Sequence, residues 1–225
     1  MIRDYFSYVG MTIVRPVKTS MQASKEKGVF GLFHILLFVI GLSLQYSWNM
    51  KGLILNAMQE YPILQKIVTA IFVSSGQVFL YILILMLLNI TVAWVAIRYI
   101  MGIKEVTFMK SAAGIGGMIT FPLVILIVSI IMTSFGSVLI SVLLCMMALL
   151  FLPYAIMYFI IGHYEKSRVD VYWVSILVFV AVTIITLLGM YLLIQVFMSN
   201  VHDVTGQVQH LILERWNDFR DKLPI

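Results

Sequence analysis

One uncharged stretch constrains the fold of this chain more than any other feature. From Ser111 to Tyr164, 54 residues pass without a single Asp, Glu, Lys or Arg. A helix needs about 20 apolar residues to cross a bilayer, so this stretch is long enough for two crossings joined by a turn. Three hydroxyl residues and a glycine within residues 133–137 indicate where the turn lies. We therefore expect two antiparallel membrane helices connected by a very short hairpin.

The composition of the whole chain agrees with a membrane location. Hydrophobic residues make up 62% and charged residues only 11%, and the mean hydropathy is +1.03, whereas soluble domains carry about 25% charged residues. The fold class predicted is all-α, a polytopic membrane helix bundle. The single cysteine, Cys145, lies in mid-span, so the chain offers neither a disulfide framework nor a zinc site, and no cofactor is expected.

Apolar runs divide the chain into five predicted transmembrane helices. Residues 1–28 are expected to form a basic amphipathic segment on the membrane surface, broken near Pro16 because proline removes a backbone donor. Residues 49–66 are expected to connect the first two spans through a short interfacial helix that ends before Pro62. Residues 199–225 are expected to form an amphipathic tail. The transmembrane domain, 29–198, contains the predicted spans 29–48, 67–97, 111–133, 137–161 and 171–198.

The distribution of Lys and Arg predicts the orientation of the bundle. With five spans, the N-terminal segment and the loops 98–110 and 162–170 lie on one side of the membrane and hold ten of these residues. The segments on the other side hold five. Positively charged residues are enriched on the cytoplasmic side, so the N-terminus is predicted to be cytoplasmic and the C-terminus extracytoplasmic. The net charge of +5 follows from this topology, and nucleic acid is not an expected partner.

Two features of the third and fourth spans predict close packing and bending. Small residues four apart at the start of the third span allow helix backbones to approach closely. A proline inside a span frees a backbone carbonyl for another donor, which leaves room for a pocket between these helices. The residues expected in these packing or kink roles are Ala112, Ala113, Gly116, Gly117, Pro122 and Pro153.

Three polar residues within the spans are candidates for hydrogen bonds between helices. They are His34 in the first span and Gln77 and Asn89 in the second. A histidine near a membrane interface also has the chemistry to titrate or to bind a metal, so that alternative stays open for His34.

The basic residues of the N-terminal segment are expected to contact anionic lipid headgroups. Each Lys or Arg near the surface contributes about 1 kcal/mol to such binding. The five residues are Arg3, Arg15, Lys18, Lys25 and Lys27.

The motifs of several function classes are missing from the sequence. None of the predicted spans contains an Asp, Glu, Lys or Arg, whereas ion-coupled carriers and pumps keep ionisable groups there. The four histidines are dispersed, with no HExxH motif and no nucleophile–base pair of the kind that intramembrane enzymes need. The expected class is therefore non-enzymatic.

The arrangement of segments resembles the Yip family of five-span membrane proteins, most closely its bacterial relatives. The resemblance rests on the basic amphipathic start, the long outer connection, the stretch MGIKEVTFMKSAAGIGGMITFPL (101–123) and three closely connected spans. The opening YFSYVGMTIVRPVKTSMQASKEKGVFGLFHILLF (5–38) is similar to the membrane portion of Gram-positive proteins that often carry a zinc ribbon, which one cysteine does not supply. The family is implicated in vesicle traffic in eukaryotes, but the DLYGP-type motif found there does not occur in this sequence.

These observations together predict a bacterial plasma-membrane protein of Yip-like type that binds membrane partners or organises lipid. The expected partners are membrane lipids and other membrane proteins, and self-association stays open. The alternative is a passive lipid or solute transporter, or a subunit of a transport complex, that uses the kinked third and fourth spans.

Overall fold

The computed structural model describes residues 2–26, 28–57 and 75–220, and within these ranges every regular element is helical. The predicted all-α class is confirmed. Eight helices lie in these ranges: α1 (Ile2–Val14), α2 (Pro16–Glu26), α3 (Gly28–Ala57), α4 (Ser75–Val95), α5 (Phe108–Met118), α6 (Thr120–Ser134), α7 (Val138–Ile161) and α8 (Val171–Arg220). A π-helical turn, Ala96–Ile100, continues α4, and a 3₁₀ turn, Tyr164–Lys166, follows α7.

The helices form one bundle, and its two ends differ in the loops that they carry. At one end the loops 101–107 and 162–170 meet, and Arg168 N–H donates a hydrogen bond to Met101 O (3.1 Å). At the other end Gly136 adopts φ of +78° in the turn between α6 and α7, a left-handed conformation that glycine adopts without steric cost. We call these two ends the loop end and the hairpin end.

Five crossings fit this bundle. Helices α3, α4, α7 and α8 each contain a stretch long and apolar enough to cross a membrane, and α5 and α6 pass the same test as a pair bent by 52°. The pair extends from end to end, because Gly116 of α5 packs on Gly31 of α3 while Thr133 of α6 contacts Asn49 of the same helix. Gly31 and Asn49 lie about 27 Å apart along α3, close to the hydrocarbon thickness of about 30 Å. Helices α5 and α6 therefore form one broken crossing.

The helix that contains the first span is longer than the predicted span, whereas its stretch apolar enough to cross a membrane is Gly28–Asn49. Helix α3 does not end at Trp48 but continues to Ala57, so the first part of the expected connection is a continuation of the same helix. Asn49 and Gly52 are residue types that often end helices, but no proline occurs between Trp48 and Ala57, and a continuous helix keeps its backbone hydrogen bonds satisfied. The predicted stop before Pro62 and the predicted start of the second span lie outside the described residues.

The helix that contains the fifth span also continues beyond the predicted end of that span, whereas its apolar stretch is Val171–Gln195. Helix α8 is continuous from Val171 to Arg220, so the predicted tail is no separate element as far as Arg220. No proline occurs in this stretch, and helix formation needs no new nucleus once a span is formed.

The two N-terminal helices dock on the bundle through a face that carries buried hydroxyl residues. Helix α1 ends at Val14 and α2 begins at Pro16, a break at the expected proline, and α2 packs against α5. Phe6 and Ile13, which belong to the apolar periodicity of this segment, are 68% and 51% exposed and available to lipid, whereas Val17 packs against the apolar core. The buried residues on the opposite face are Tyr8, Thr12, Thr19 and Ser20.

One apolar core runs through the bundle, while the outer helix faces are apolar as well. The core includes Phe38, Ile90, Leu126 and Ile156, which are at most 1% exposed. Leu139, on the outside of α7, is 70% exposed. A helix that is hydrophobic all round suits a membrane span, and the confirmed architecture is that of a multi-pass membrane helix bundle.

Candidate functional site

An apolar cavity opens between α3, α4, α7 and α8 in the half of the bundle nearer the hairpin end. Its volume is about 130 Å³. All four helices contribute large flexible side chains to its wall, and leucine and methionine dominate. Representative wall residues are Phe38, Leu42, Met86, Leu149, Met190 and Leu193.

Five residues with polar side-chain atoms interrupt this apolar wall, namely Tyr46, Asn49, Asn89, Cys145 and Thr186. Asn89 of α4 is fully buried, and its Nδ2 donates to Thr186 Oγ1 of α8 at 3.4 Å, while its Oδ1 has no hydrogen-bond partner. Asn49 belongs to the wall at the hairpin end, and Cys145 lies on the face contributed by α7. An apolar cavity with a few polar groups is the general form of a small-molecule site in proteins.

A cluster of polar side chains adjoins the cavity at the hairpin end, and we call it the oxygen cluster. It consists of Gln45 and Asn49 from α3, Ser129 and Thr133 from α6, and Ser141 from α7. Gln45 Nε2 lies 2.6 Å from Thr133 Oγ1, 3.3 Å from Asn49 Oδ1 and 3.4 Å from Ser129 O, and it also contacts Ser141 Oγ. Four oxygens from three helices therefore surround one atom.

The hydroxyl groups of the cluster connect α6 and α7 directly. Ser129 Oγ donates to Ser141 O at 2.7 Å, and Thr133 Oγ1 lies 2.6 Å from Ser141 Oγ. Ser141 Oγ also donates to Asn49 Oδ1 at 3.0 Å. Because few competing partners exist in hydrocarbon, such bonds hold neighbouring helices in a fixed register.

The sequence analysis missed this cluster, although a local signal was present. Gln45 and Asn49 are four residues apart, as are Ser129 and Thr133, so each pair shares one helical face. The sequence does not show that the two pairs face each other, because that depends on how α3 packs against α6.

His34 contacts the bend between α5 and α6. Its Nδ1 lies 3.3 Å from Gly116 O and 3.0 Å from Thr120 Oγ1, and the ring is fully buried. A carbonyl only accepts, and Thr120 Oγ1 itself donates to Gly117 O at 2.8 Å, so Nδ1–H is the donor in both contacts. The structure thus places His34 between two helices.

The predicted kink in the third span lies just before Pro122. The bend separates Met118 from Thr120, which is where a proline two residues further on leaves the carbonyl of Met118 without its usual helical donor. Helix α7, in contrast, continues through the buried Pro153 without interruption.

The predicted small residues face several neighbours. Gly116 and Ala113 meet the backbone of Gly31, so α3 and α5 are in backbone contact, whereas Gly117 meets the side chains of Tyr8 and Ser20 from the N-terminal helices. Ala112 is buried as well.

The remaining predicted residues lie apart from the cavity. Gln77 is exposed near the start of α4, unlike the buried Asn89. Arg3, Arg15 and Lys18 are exposed and thus available to headgroups. The side chains of Lys25 and Lys27 lie outside the described residues.

Comparison with models of protein families, with curated proteins and with solved structures finds no match to this chain. The chemistry of the site is therefore inferred from the residues that line it and from their positions. The cavity suits an apolar guest, and the oxygen cluster offers neutral hydrogen-bonding groups beside it.

Proposed function

We propose that this protein is a non-enzymatic membrane protein that binds lipid, with part of an acyl chain in the cavity between α3, α4, α7 and α8. The cavity carries the proposal. An apolar cavity of about 150 Å³ in another protein stays dry and takes up small apolar molecules, and the cavity here is similar in size, about 130 Å³. In a bilayer the abundant apolar molecule is the acyl chain itself.

The wall of the cavity supports a chain-like guest. Met86 and Met190 have unbranched side chains, and methionine adapts to irregular apolar shapes. Exposed basic residues at the loop end, among them Lys104 and Lys110, suit anionic headgroups of the same membrane. Together these features favour a protein that organises lipid around itself.

Photochemical crosslinking tests the proposal. The protein would be reconstituted with a phospholipid that carries a photoactivatable diazirine in mid-chain, and the crosslinked residues would be found by mass spectrometry. Leu149→Trp fills the cavity, whereas Leu150→Trp changes the neighbouring side chain, which is 64% exposed on the outside of α7.

We expect crosslinks to cavity residues in the native protein and in Leu150→Trp, and at least a fivefold loss of them in Leu149→Trp. Equal crosslinking in the two variants would show that lipid contacts only the outer surface, and the proposed cavity function would then be wrong.

A passive lipid or solute transporter is the second candidate. Buried polar groups at bilayer depth favour it, namely Asn89 with its unpartnered oxygen and the oxygen cluster. Polar groups lower the cost of moving a headgroup or a polar solute through hydrocarbon. An assay in lipid vesicles that contain this protein alone tests this function. Lipid scrambling or solute flux in those vesicles would support it.

The proposal extends to location and partners. A plasma-membrane protein with a cytoplasmic N-terminus accounts for the concentration of Lys and Arg on one side. Binding of other membrane proteins, as in the Yip-like expectation, would appear as a stoichiometric partner that copurifies from native membranes.

A further inference from the structure

Asn89 carries an unsatisfied hydrogen-bonding group in the wall of the apolar cavity. Its Nδ2 donates to Thr186 Oγ1 across 3.4 Å, and Thr186 belongs to the same wall. The Oδ1 atom of Asn89 has no hydrogen-bond partner, although the side chain is 0% exposed. A buried acceptor is costly to leave without a donor, because burial removes the water that would otherwise donate to it. A guest with a donor of its own would satisfy this atom.

The Asn89 amide needs a further partner in either of its two orientations. After a half turn, the Thr186 hydroxyl would donate to Oδ1, and the hydrogens of Nδ2 would lack an acceptor. One end of the amide stays unpaired in both cases, because Thr186 is the one residue bonded to this side chain in the described part of the chain. A hydroxyl group both donates and accepts, so it suits either orientation.

The depth of Asn89 restricts which hydroxyl groups can reach it. The apolar stretch of α4 is Gly76–Ile100, so Asn89 lies about 20 Å along the helix from one end and about 17 Å from the other. Asn89 is therefore near the middle of the bilayer, whereas the polar groups of a phospholipid lie in the two interfacial regions. The partner of Asn89 must belong to the apolar part of a guest.

We propose that the cavity binds an aliphatic chain that carries a hydroxyl group, and that this hydroxyl hydrogen-bonds to Asn89. The inference rests on the cavity of the proposed function and narrows its guest. Met86 precedes Asn89 by three residues, and Met190 follows Thr186 by four, so each methionine shares a helix face with a polar wall residue. Both methionines line the cavity, and their flexible side chains adapt to the carbon chain beside the hydroxyl.

The site favours a neutral hydroxyl over an alkane or an ionised group. An unpaired hydroxyl is unfavourable in an apolar medium, and Asn89 offers it a partner that hydrocarbon does not. An alkane gains no bond there. No Asp, Glu, Lys or Arg occurs among the described residues that line the cavity, so an ionised guest would have no counter-charge. A free long-chain alcohol and an acyl chain with a mid-chain hydroxyl share the chemistry required.

Photochemical crosslinking with matched guests tests the inference. The full chain would be reconstituted in phosphatidylcholine vesicles with dodecanol or dodecane, each carrying a diazirine and present at the same membrane concentration. Mass spectrometry would give the ratio of crosslinks at Met86 and Met190 to crosslinks at Leu150, which is exposed on the outside of α7. We expect a ratio at least about fivefold higher for the alcohol, because it alone gains a hydrogen bond.

A second pair of guests distinguishes the two sources of the hydroxyl. Phosphatidylcholine with a diazirine and a hydroxyl in mid-chain would be compared with the same lipid without the hydroxyl. A gain in this pair identifies a hydroxylated acyl chain, and a gain in the first pair alone identifies a free alcohol. Equal ratios with and without the hydroxyl in both pairs would overturn the inference.

Variants of α4 locate the effect. Asn89→Leu should abolish the preference for the hydroxyl and retain the crosslinks of dodecane, whereas Gln77→Leu, the same change at an exposed position of α4, should keep the preference. A preference that survives in Asn89→Leu would show that another group binds the hydroxyl, and the inference would be wrong. The comparison of guests in the native protein decides even if Asn89→Leu does not fold.

Failure of this inference and failure of the proposed function give different results. If the unhydroxylated phospholipid crosslinks in the cavity and the hydroxyl brings no gain, lipid binding stands and the preference for a hydroxyl is wrong. If only guests with a hydroxyl crosslink there, the preference stands and the binding of ordinary acyl chains is wrong. The absence of cavity crosslinks with every guest would overturn both.

Discussion

The missing side chain at Gly116 lets two helices of the bundle pack backbone against backbone. A methyl group there would collide with the main chain of Gly31, and one at Gly31 would collide with the main chain of Ala113. The spacing of the small residues predicted an approach of this kind on α5. The partner, Gly31, has no such pattern around it, so the sequence did not indicate which helix would be approached.

Replacing Gly116 with alanine tests this contact at the residue scale. Because the new methyl group meets backbone rather than a movable side chain, α3 and α5 must separate, and we expect the free energy of unfolding to fall by about 1–3 kcal/mol or more. Unfolding in SDS, followed by tryptophan fluorescence, measures the change.

Gly10→Ala is the matched control, since nothing lies within 4 Å of a methyl group added there. Alanine favours a helix over glycine by about 0.5–1 kcal/mol, so this variant should be neutral or slightly more stable. Equal losses in the two variants would mean that the backbone contact does not govern stability.

At the scale of the element, the bend between α5 and α6 is the feature that shapes the bundle. Pro122 removes one backbone N–H donor from the helix. The side chains of His34 and Thr120 donate hydrogen bonds to the carbonyl oxygens of Gly116 and Gly117 at the break. The bend was predicted from Pro122 alone. The contact between His34 and the bend could not be predicted in the same way, because it depends on how α3 packs against α5 and α6.

Thr120→Val tests whether these side chains stabilise the bend. The change keeps the shape but removes the hydroxyl that contacts both His34 and Gly117 O, and each hydrogen bond contributes about 0.5–1.5 kcal/mol. We expect a loss of about 1–2 kcal/mol in the same SDS unfolding experiment.

The control for this element is Thr183→Val in α8. Its hydroxyl donates to Phe179 O one turn back in the same helix (2.7 Å). The free energy of unfolding should therefore fall by less than half as much as in Thr120→Val. If both variants lose the same free energy, the contacts at the bend contribute nothing beyond an ordinary threonine in a helix.

At the scale of the whole molecule, Lys and Arg are more numerous at one end of the bundle than at the other. The loop end carries Arg98, Lys104, Lys110, Lys166 and Arg168, whereas the hairpin turn 135–137 has no charged residue. An odd number of crossings also separates the start of α3 from the end of the fifth span. The proposed orientation places the loop end in the cytoplasm.

Cysteine labelling checks the orientation in intact cells. In a Cys145→Ala background, an impermeant thiol reagent should label Ser134→Cys at the hairpin end and leave Lys104→Cys unlabelled until the membrane is permeabilised. Labelling in the opposite pattern would invert the topology. The same reagent should label Asn217→Cys but not Ser24→Cys, which extends the test to both terminal segments.

The sequence by itself determined the fold class, the multi-pass character of the chain and the position of the hairpin. These follow from local physics, because a bilayer requires long uncharged helices with internally satisfied backbones and a short polar break permits a turn. Helix ends beyond the membrane were less well determined, since α3 and α8 continue past the ends of their apolar stretches, and α3 does so through Asn49 and Gly52.

Only the tertiary structure decided which helices meet and therefore what sites exist. The cavity takes its wall from four helices, and the oxygen cluster joins Gln45 to Ser129 and Ser141, which lie far apart in the sequence. In a membrane every helix is apolar on all sides, so hydrophobic periodicity gives almost no information about neighbours. Close contacts of glycine and a few buried polar groups select the arrangement instead, and their partners are fixed only when the bundle has formed.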